Sequence, residues 1–197
     1  MPSKFDILID SYLLNKIGIA QEFIDARLSK LLIEHIGVLL KEDKFVAAGT
    51  GVSDEVVHDL KFRNDTIYWL DRQHQSYIEN LFLDYIDSFV QFLNTTCYTG
   101  ITSYEFHFAV YKKGNFYKKH LDQFKHNNSR AYTMIFYLNE NWKEGDGGEL
   151  CIHSIDGLEL ISPIEGKSIF FKCNEIEHEV LLNHKTRMSI TGWLRTD

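Results

Sequence analysis

The sequence has little of what marks several common protein classes. Its 197 residues include only two prolines and three cysteines, and a net charge of -7 leaves no basic excess. Three cysteines without a CxxC pair predict reduced thiols in a reducing compartment, not a disulfide framework. We expect no nucleic-acid partner, because neutralising phosphates requires a surplus of lysine and arginine.

Long apolar runs are also missing. The first ten residues mix charged and apolar side chains, and no stretch reaches the length that crosses a bilayer. We therefore expect no signal peptide, no membrane partner and a cytoplasmic location. GxGxxG, P-loop and GxSxG motifs do not occur, which argues against a parallel-sheet nucleotide-binding fold. What remains is ordinary globular composition with 14% aromatic residues and nine histidines.

Hydrophobic periodicity predicts the order of the secondary structure. Apolar residues recur at helical spacing over 23–42, where Asp25 is a candidate N-cap, and over 75–94. A polar loop follows the first helix, and the segment FRNDTIYWLD after it alternates like a strand. Beyond Gly100, short aromatic and β-branched runs predict eight strands, near 104–111, 116–120, 131–138, 148–153, 157–161, 167–171, 178–182 and 187–194.

This order of elements bears on fold class. Helices followed by a run of strands indicate an α+β fold or a helix-buttressed barrel, not alternating βαβ units. The length favours a single domain over 1–197. We expect a helical and loop part over 1–100 and a β core over 101–197.

Three residues could form a metal site. His120 and Asp122 are two apart at the end of a predicted strand, so both side chains leave the same face. His178 lies far downstream in NEIEHEVLL. A carboxylate and two imidazoles make the facial triad that holds non-haem Fe(II), but zinc hydrolase sites use the same residue types.

Arg187 favours one of these chemistries. A guanidinium gives a bidentate, permanently charged partner to the distal carboxylate of an acidic co-substrate. Tyr111 and Tyr137 could add hydrogen-bond donors. The alternatives are ordinary ones, since Arg187 could be a surface strand residue and the tyrosines could belong to the core.

Six ordered segments carry a family resemblance. VYKKGNFYKKHLD, RAYTMIFYLNENW, GDGGELCI, GKSIFF, HEVLL and RMSITGWL resemble the Fe(II)- and 2-oxoglutarate-dependent oxygenase domain of prolyl 4-hydroxylases. FRNDTIYWLD is more similar to the hypoxia-inducible-factor prolyl hydroxylases and their bacterial relatives than to the collagen type. The resemblance implies a mostly β fold, a double-stranded β-helix (jelly roll) with flanking helices.

The resemblance also implies roles for individual residues. It places Fe(II) on His120, Asp122 and His178, and 2-oxoglutarate on Arg187, Tyr111 and Tyr137. Residues expected to border the substrate are Arg63, Asp65, Trp69 and Arg130. By the pattern of the oxygen-sensing type, Asp65 should pair with Arg130.

The implied reaction is hydroxylation of a prolyl residue in a protein or peptide, with O2 consumed and succinate and CO2 released. Ascorbate is a candidate reductant. Two alternatives stay open: the same oxygenase chemistry on a non-prolyl or small-molecule substrate, and a metal-binding jelly-roll sensor without turnover. The substrate, the oligomeric state and the conformation of the 47–62 loop are not predicted.

Overall fold

A computed structural model describes residues 2–49, 57–123, 127–155 and 157–196. Within these ranges the helices are α1 (Lys4–Asn15), α2 (Ala26–Lys41) and α3 (Tyr77–Thr96), with a 3-10 turn at Arg72–His74. The Asp25 carboxylate accepts a hydrogen bond from the Leu28 backbone N–H, so the predicted cap of α2 is confirmed. No helix of this part of the chain is long and apolar enough to cross a membrane.

Strands make up most of the regular structure. They are β1 (Ile17–Gln21), β2 (Val46–Ala47), β3 (Thr66–Trp69), β4 (Ser103–Tyr111), β5 (Tyr117–His120), β6 (Arg130–Tyr137), β7 (Leu150–Ser154), β8 (Gly157–Ile161), β9 (Lys167–Lys172), β10 (Glu177–Val180) and β11 (Arg187–Arg195). The eight strands predicted after Gly100, and the one within FRNDTIYWLD, are confirmed.

The strands form two antiparallel sheets. The large sheet has seven strands in the order β1-β9-β6-β11-β4-β3-β2, and the small sheet has four in the order β5-β10-β7-β8. Side chains of the two sheets meet in an apolar layer that includes Ile135 and Phe171 from the large sheet and Leu150 and Ile152 from the small one. This arrangement confirms the predicted jelly roll with flanking helices.

The helices cover one face of the large sheet. Phe106, Phe108 and Phe136 on this face pack in one cluster with Phe82 of α3 and Ile36 of α2. Because side chains alternate along a strand, the next residues of each strand point to the opposite face. That opposite face, turned toward the small sheet, is called the inner face below.

The N-terminal part contributes more than helices and loops. Strands β1, β2 and β3 join the large sheet, so its strands are not confined to 101–197. Helix α1 and strand β1 are absent from the sequence-based prediction. Ser3 and Asp6 form a capping box at the start of α1, a local signal that hydrophobic periodicity does not include. Strand β1 has no such signal, because it is defined by antiparallel pairing with the distant β9.

Candidate active site

The three predicted metal ligands lie together in the inner space between the sheets. His120 of β5 is the register partner of His178 of β10, and Asp122 follows β5 by two residues. The Asp122 carboxylate oxygens lie 3.4 Å from His120 Nε2 and 3.5 Å from His178 Nε2. One donor atom from each side chain therefore falls within 4.8 Å of the other two, a spacing that could hold one metal ion.

Backbone carbonyls fix both imidazoles. His120 Nδ1 lies 2.7 Å from the Lys118 carbonyl oxygen, and His178 Nδ1 lies 3.0 Å from the Ile176 carbonyl oxygen. A carbonyl oxygen only accepts hydrogen bonds, so each Nδ1 carries a proton and donates it. The Nε2 lone pair of each ring is left facing Asp122, as metal-binding histidines require.

The charge state of the cluster also suits a cation. Burial raises the pKa of Asp122, but His178, His120 and the Thr133 hydroxyl outweigh it and hold the pKa of this carboxyl below its usual range. Thr133 donates to Asp122 Oδ2 at 2.7 Å. Burial lowers the pKa of His178, which keeps this ring neutral at pH 7. One anionic carboxylate with two imidazoles fits Fe(II), although Zn²⁺ accepts the same donors.

Arg187 lies deeper in the same space and is 2% exposed. Its Nε donates to the Gly148 carbonyl at 3.0 Å, and its Nη1 lies 3.4 Å from Ser189 Oγ. No carboxylate of the described residues pairs with it. A buried guanidinium without an anion is costly, so Arg187 could hold an anionic ligand. The alternative of a surface arginine is wrong.

Two tyrosines flank this guanidinium. The Arg187 Cζ atom lies 4.9 Å from the ring centre of Tyr111 and 5.1 Å from that of Tyr137. Burial raises the pKa of both phenols, so they stay protonated and can donate. The Tyr137 hydroxyl is buried and forms no well-aligned hydrogen bond within the described ranges. An acidic ligand against Arg187 would supply the missing acceptor.

The GDGG turn at residues 145–148 packs against the Arg187 side chain. Gly148 has a φ of +67°, which favours glycine, and a Cβ added to it would lie 3.0 Å from Arg187 Cδ. Its carbonyl is the acceptor for Arg187 Nε. The turn therefore supports the arginine, a role that the sequence pattern does not reveal.

A cavity of about 400 Å³ leads from the surface to the triad. Of the four predicted substrate-binding residues, Arg63, Trp69 and Arg130 line this cavity, together with Trp193. The Arg130 guanidinium lies 3.3 Å from the ring centre of Trp193. The entrance is thus an aromatic surface with two cationic groups.

Asp65 has a different position from the one predicted. It is 1% exposed, and its two carboxylate oxygens accept from Arg63 Nε at 2.8 Å and Nη2 at 2.7 Å. Arg130 instead pairs with Glu105, at 2.7 Å between Arg130 Nη2 and Glu105 Oε1. The predicted Asp65–Arg130 pair is therefore wrong. Arg63, only two residues away in an extended segment, is the nearer cation.

The Arg63–Asp65 pair reaches the triad through an aromatic ring. The Arg63 Cζ atom lies 4.2 Å from the ring centre of Tyr117. Tyr117 in turn stacks on His120, with 3.6 Å between ring centres and 15° between planes. Asp65 thus supports the wall behind His120 and does not line the entrance. The importance of Tyr117 could not be inferred from its place in the sequence alone.

His107 is a further residue that sequence reasoning missed. It is buried on the inner face of β4, with its ring centre 4.9 Å from that of Trp69 and 5.5 Å from that of Trp193. Burial first, and then the charge of Arg63 and Arg130, lowers its pKa to about 3. Its Nδ1 has no hydrogen-bond partner in the described part of the chain. A neutral imidazole with a free polar atom therefore borders the cavity.

Comparisons with known proteins agree with this geometry. Residues 106–195 match the family model described as the 2OG-Fe(II) oxygenase superfamily. The chain is 31% identical over 146 residues to a hypoxia-inducible factor prolyl hydroxylase of Caenorhabditis elegans, a match that covers 69% of this chain and 20% of that protein. The chain therefore spans about a fifth of the length of this curated relative.

Solved structures extend the likeness to the whole fold. A Pseudomonas putida prolyl-4-hydroxylase superposes with a TM-score of 0.86 and 29% identity, covering 100% of both chains. A Trichoplax adhaerens prolyl hydroxylase, solved with a hypoxia inducible factor peptide fragment, has a TM-score of 0.84 and 24% identity, covering 98% of this chain and 89% of that one. The resemblance to prolyl hydroxylases is confirmed, and the chain contains an oxygenase domain of the 2OG-Fe(II) superfamily, which uses Fe(II), 2-oxoglutarate and O2.

Proposed function

We propose that this chain hydroxylates a prolyl residue of a protein or peptide, using Fe(II), 2-oxoglutarate and O2. The observation that carries the proposal is the buried Arg187, which has no carboxylate partner among the described residues and lies behind the His120, Asp122 and His178 cluster. The family match and the prolyl hydroxylase relatives support it.

The inner residues hold the co-substrate in this proposal. Arg187 binds the distal carboxylate of 2-oxoglutarate, while Tyr137 and Tyr111 donate hydrogen bonds to it. His120, Asp122 and His178 hold Fe(II). When bound, the metal, 2-oxoglutarate and O2 supply the oxidising power: one oxygen atom enters the substrate C–H bond and the other enters succinate, with CO2 released.

The remaining side chains bind and orient the substrate. Trp69 and Trp193 offer apolar walls that suit a pyrrolidine ring, and Arg130, fixed by Glu105 and Trp193, borders the same opening. These walls exclude water from the reacting carbon. A zinc hydrolase would use the triad but gives no reason for a buried, unpaired Arg187, so the oxygenase assignment is preferred.

Turnover with mass spectrometry tests the proposal. The protein is loaded anaerobically with Fe(II), 2-oxoglutarate and ascorbate, mixed with proline-containing peptides, and then exposed to O2. We expect succinate to form in step with one oxygen atom added at proline. The matched control is His178→Ala, which removes one proposed ligand.

Each other outcome has a distinct meaning. Succinate coupled to oxygen on a different residue or on a small molecule would keep the oxygenase and overturn the prolyl substrate. No succinate above the His178→Ala control with any substrate would overturn the enzymatic proposal itself and favour a sensor without turnover.

A further inference from the structure

We propose a second metal site, specific for Zn²⁺ or a similar borderline-soft divalent cation, on the outer face of the small sheet. Its ligands are Cys151, His153 and Glu179. The described residues contain two groups of His, Cys, Asp and Glu that could hold a metal ion, and this is the one that the oxygenase chemistry does not use. None of its members belongs to the inner triad.

The sheet register brings the three side chains together. Cys151 and His153 are two apart on β7, so they leave the same face, and Glu179 of β10 is the direct register partner of Cys151. The intervening Ile152 and the adjacent His178 point inward. Strand β10 thus presents one ligand to each side of the sheet.

The interatomic distances are close to those that a tetrahedral ion requires. Cys151 Sγ lies 3.9 Å from His153 Nε2, which forms a hydrogen bond to Glu179 Oε1 at 2.9 Å that a bound metal ion would replace. Zinc bonds of about 2.3 Å to sulfur and about 2.0–2.2 Å to nitrogen and oxygen require donor separations of roughly 3.3–3.6 Å at tetrahedral angles. The His153 and Glu179 side chains are 24% and 27% exposed, so metal binding would require them to rotate until their donors reach these separations.

The donor set selects the class of metal. A thiolate with an imidazole and a carboxylate suits Zn²⁺ and Co²⁺, whereas Mg²⁺ and Ca²⁺ prefer oxygen ligands alone. Glu177, the register partner of His153, lies near the group but pairs with Lys119 at 3.0 Å. The three ligands therefore leave one position open to water on the solvent side.

Cobalt spectroscopy on the full chain tests the site, because Co²⁺ bound to a thiolate gives a charge-transfer band in the near ultraviolet. His120, Asp122 and His178 include no thiolate, so Co²⁺ held by these three side chains alone does not produce this band. We expect the band to reach the intensity of one thiolate-bound Co²⁺ per chain in the wild type and in His178→Ala, once the added Co²⁺ exceeds what the inner triad binds, and Zn²⁺ to displace it. Cys151→Ser should abolish the band, and the matched control Cys97→Ser, which alters an exposed free cysteine, should keep it.

Two further variants protect the test against misfolding of the Cys151 variant. His153→Ala and Glu179→Gln alter partly exposed side chains and should raise the Kd for Co²⁺ by at least roughly tenfold, since each removes one metal–donor bond. A band that is missing in the wild type, or that survives Cys151→Ser, overturns the site. A band lost in His178→Ala also overturns it, because the thiolate would then be Cys173, near Asp122.

Discussion

The two faces of the large sheet differ in chemistry although they share the same strands. On β11 the helix-facing residues Ile190 and Leu194 belong to the main apolar cluster, whereas Arg187 and Ser189 on the inner face are buried and polar. The same alternation occurs on β4, where Phe106 and Phe108 face the helices. The helix-facing side packs as an ordinary hydrophobic core, whereas the inner face combines the apolar layer around Ile135 and Phe171 with polar groups that are costly to bury.

The helix-facing side of the large sheet mainly stabilises the fold, whereas the polar residues of its inner face mainly serve function. Burying Phe106 or Phe136 against α3 removes apolar surface from water and stabilises the fold. Burying Arg187 without an anion, or His107 with a free Nδ1, gives no comparable gain. The inner face is therefore shaped by what it binds, and substitutions on the two faces should affect different measurements.

The largest effect on function should come from His178→Ala. Removing a proposed ligand opens the coordination site, so turnover should fall by more than the roughly 10–100-fold typical of residues that merely support ligands. Succinate formation under saturating 2-oxoglutarate measures this loss. Chemical denaturation provides the control, since the free energy of unfolding of the metal-free protein should change little. If turnover and unfolding free energy fell together, the inner face could not be assigned to function apart from stability.

Phe136→Ala should give the largest effect on stability. The residue is 0% exposed on the helix-facing side of β6, so its truncation leaves a cavity that costs about 3–5 kcal/mol of unfolding free energy. Urea denaturation measures this cost. Fe(II) affinity at a temperature where the variant remains folded should stay close to that of the wild type. A large loss of metal affinity in the folded variant would show that the helix-facing side also shapes the site.

Thr133→Val should have a smaller effect that is confined to the inner face. The change keeps the shape of the side chain but deletes the hydroxyl that donates to Asp122 at 2.7 Å. Metal affinity should fall by roughly 10–100-fold, the usual cost of losing a group that orients a ligand. Equilibrium titration with Fe(II) under nitrogen measures it, and an unchanged Kd would show that Thr133 does not orient Asp122 for the metal.

The last effect concerns stability alone and depends on pH through His107. Its pKa lies at about 3 in the folded state, below the ordinary 6.5, so only the unfolded chain takes up this proton as the pH falls below 6.5. The folded state therefore loses stability by up to about 1.4 kcal/mol per pH unit between these values. Urea denaturation of metal-free His107→Met from pH 7 to pH 4 should show a shallower loss than the wild type; parallel curves would contradict this.

The sequence predicted much of the fold because the relevant signals are local. Helical spacing located α2 and α3, and alternation with turn residues located the strands after Gly100. Strand β1 was missed because it exists by pairing with β9, more than a hundred residues away. The proposed second metal site was missed for the same reason. Only the register of β7 and β10 shows that Glu179 lies beside Cys151.

The candidate site was predicted in part. His120, Asp122, His178 and Arg187 stand in motifs that resemble a known family, and the structure brings them together. The predicted Asp65–Arg130 ion pair was wrong, because ion-pair partners depend on which cation is nearest in space. Supporting contacts, such as Tyr117 stacked on His120, have no sequence signature because they arise from side-chain packing.

Binding of 2-oxoglutarate to Arg187→Ala shows whether the inner face of the large sheet is built to bind this ligand. Calorimetric titration of the Fe(II)-loaded protein under nitrogen gives the Kd for 2-oxoglutarate, with metal content and unfolding free energy measured on the same samples. We expect the loss of this charged partner to weaken binding by about 2–5 kcal/mol, with iron retained and stability unchanged or raised. Unaltered affinity for 2-oxoglutarate, or loss of iron and fold together, would contradict it.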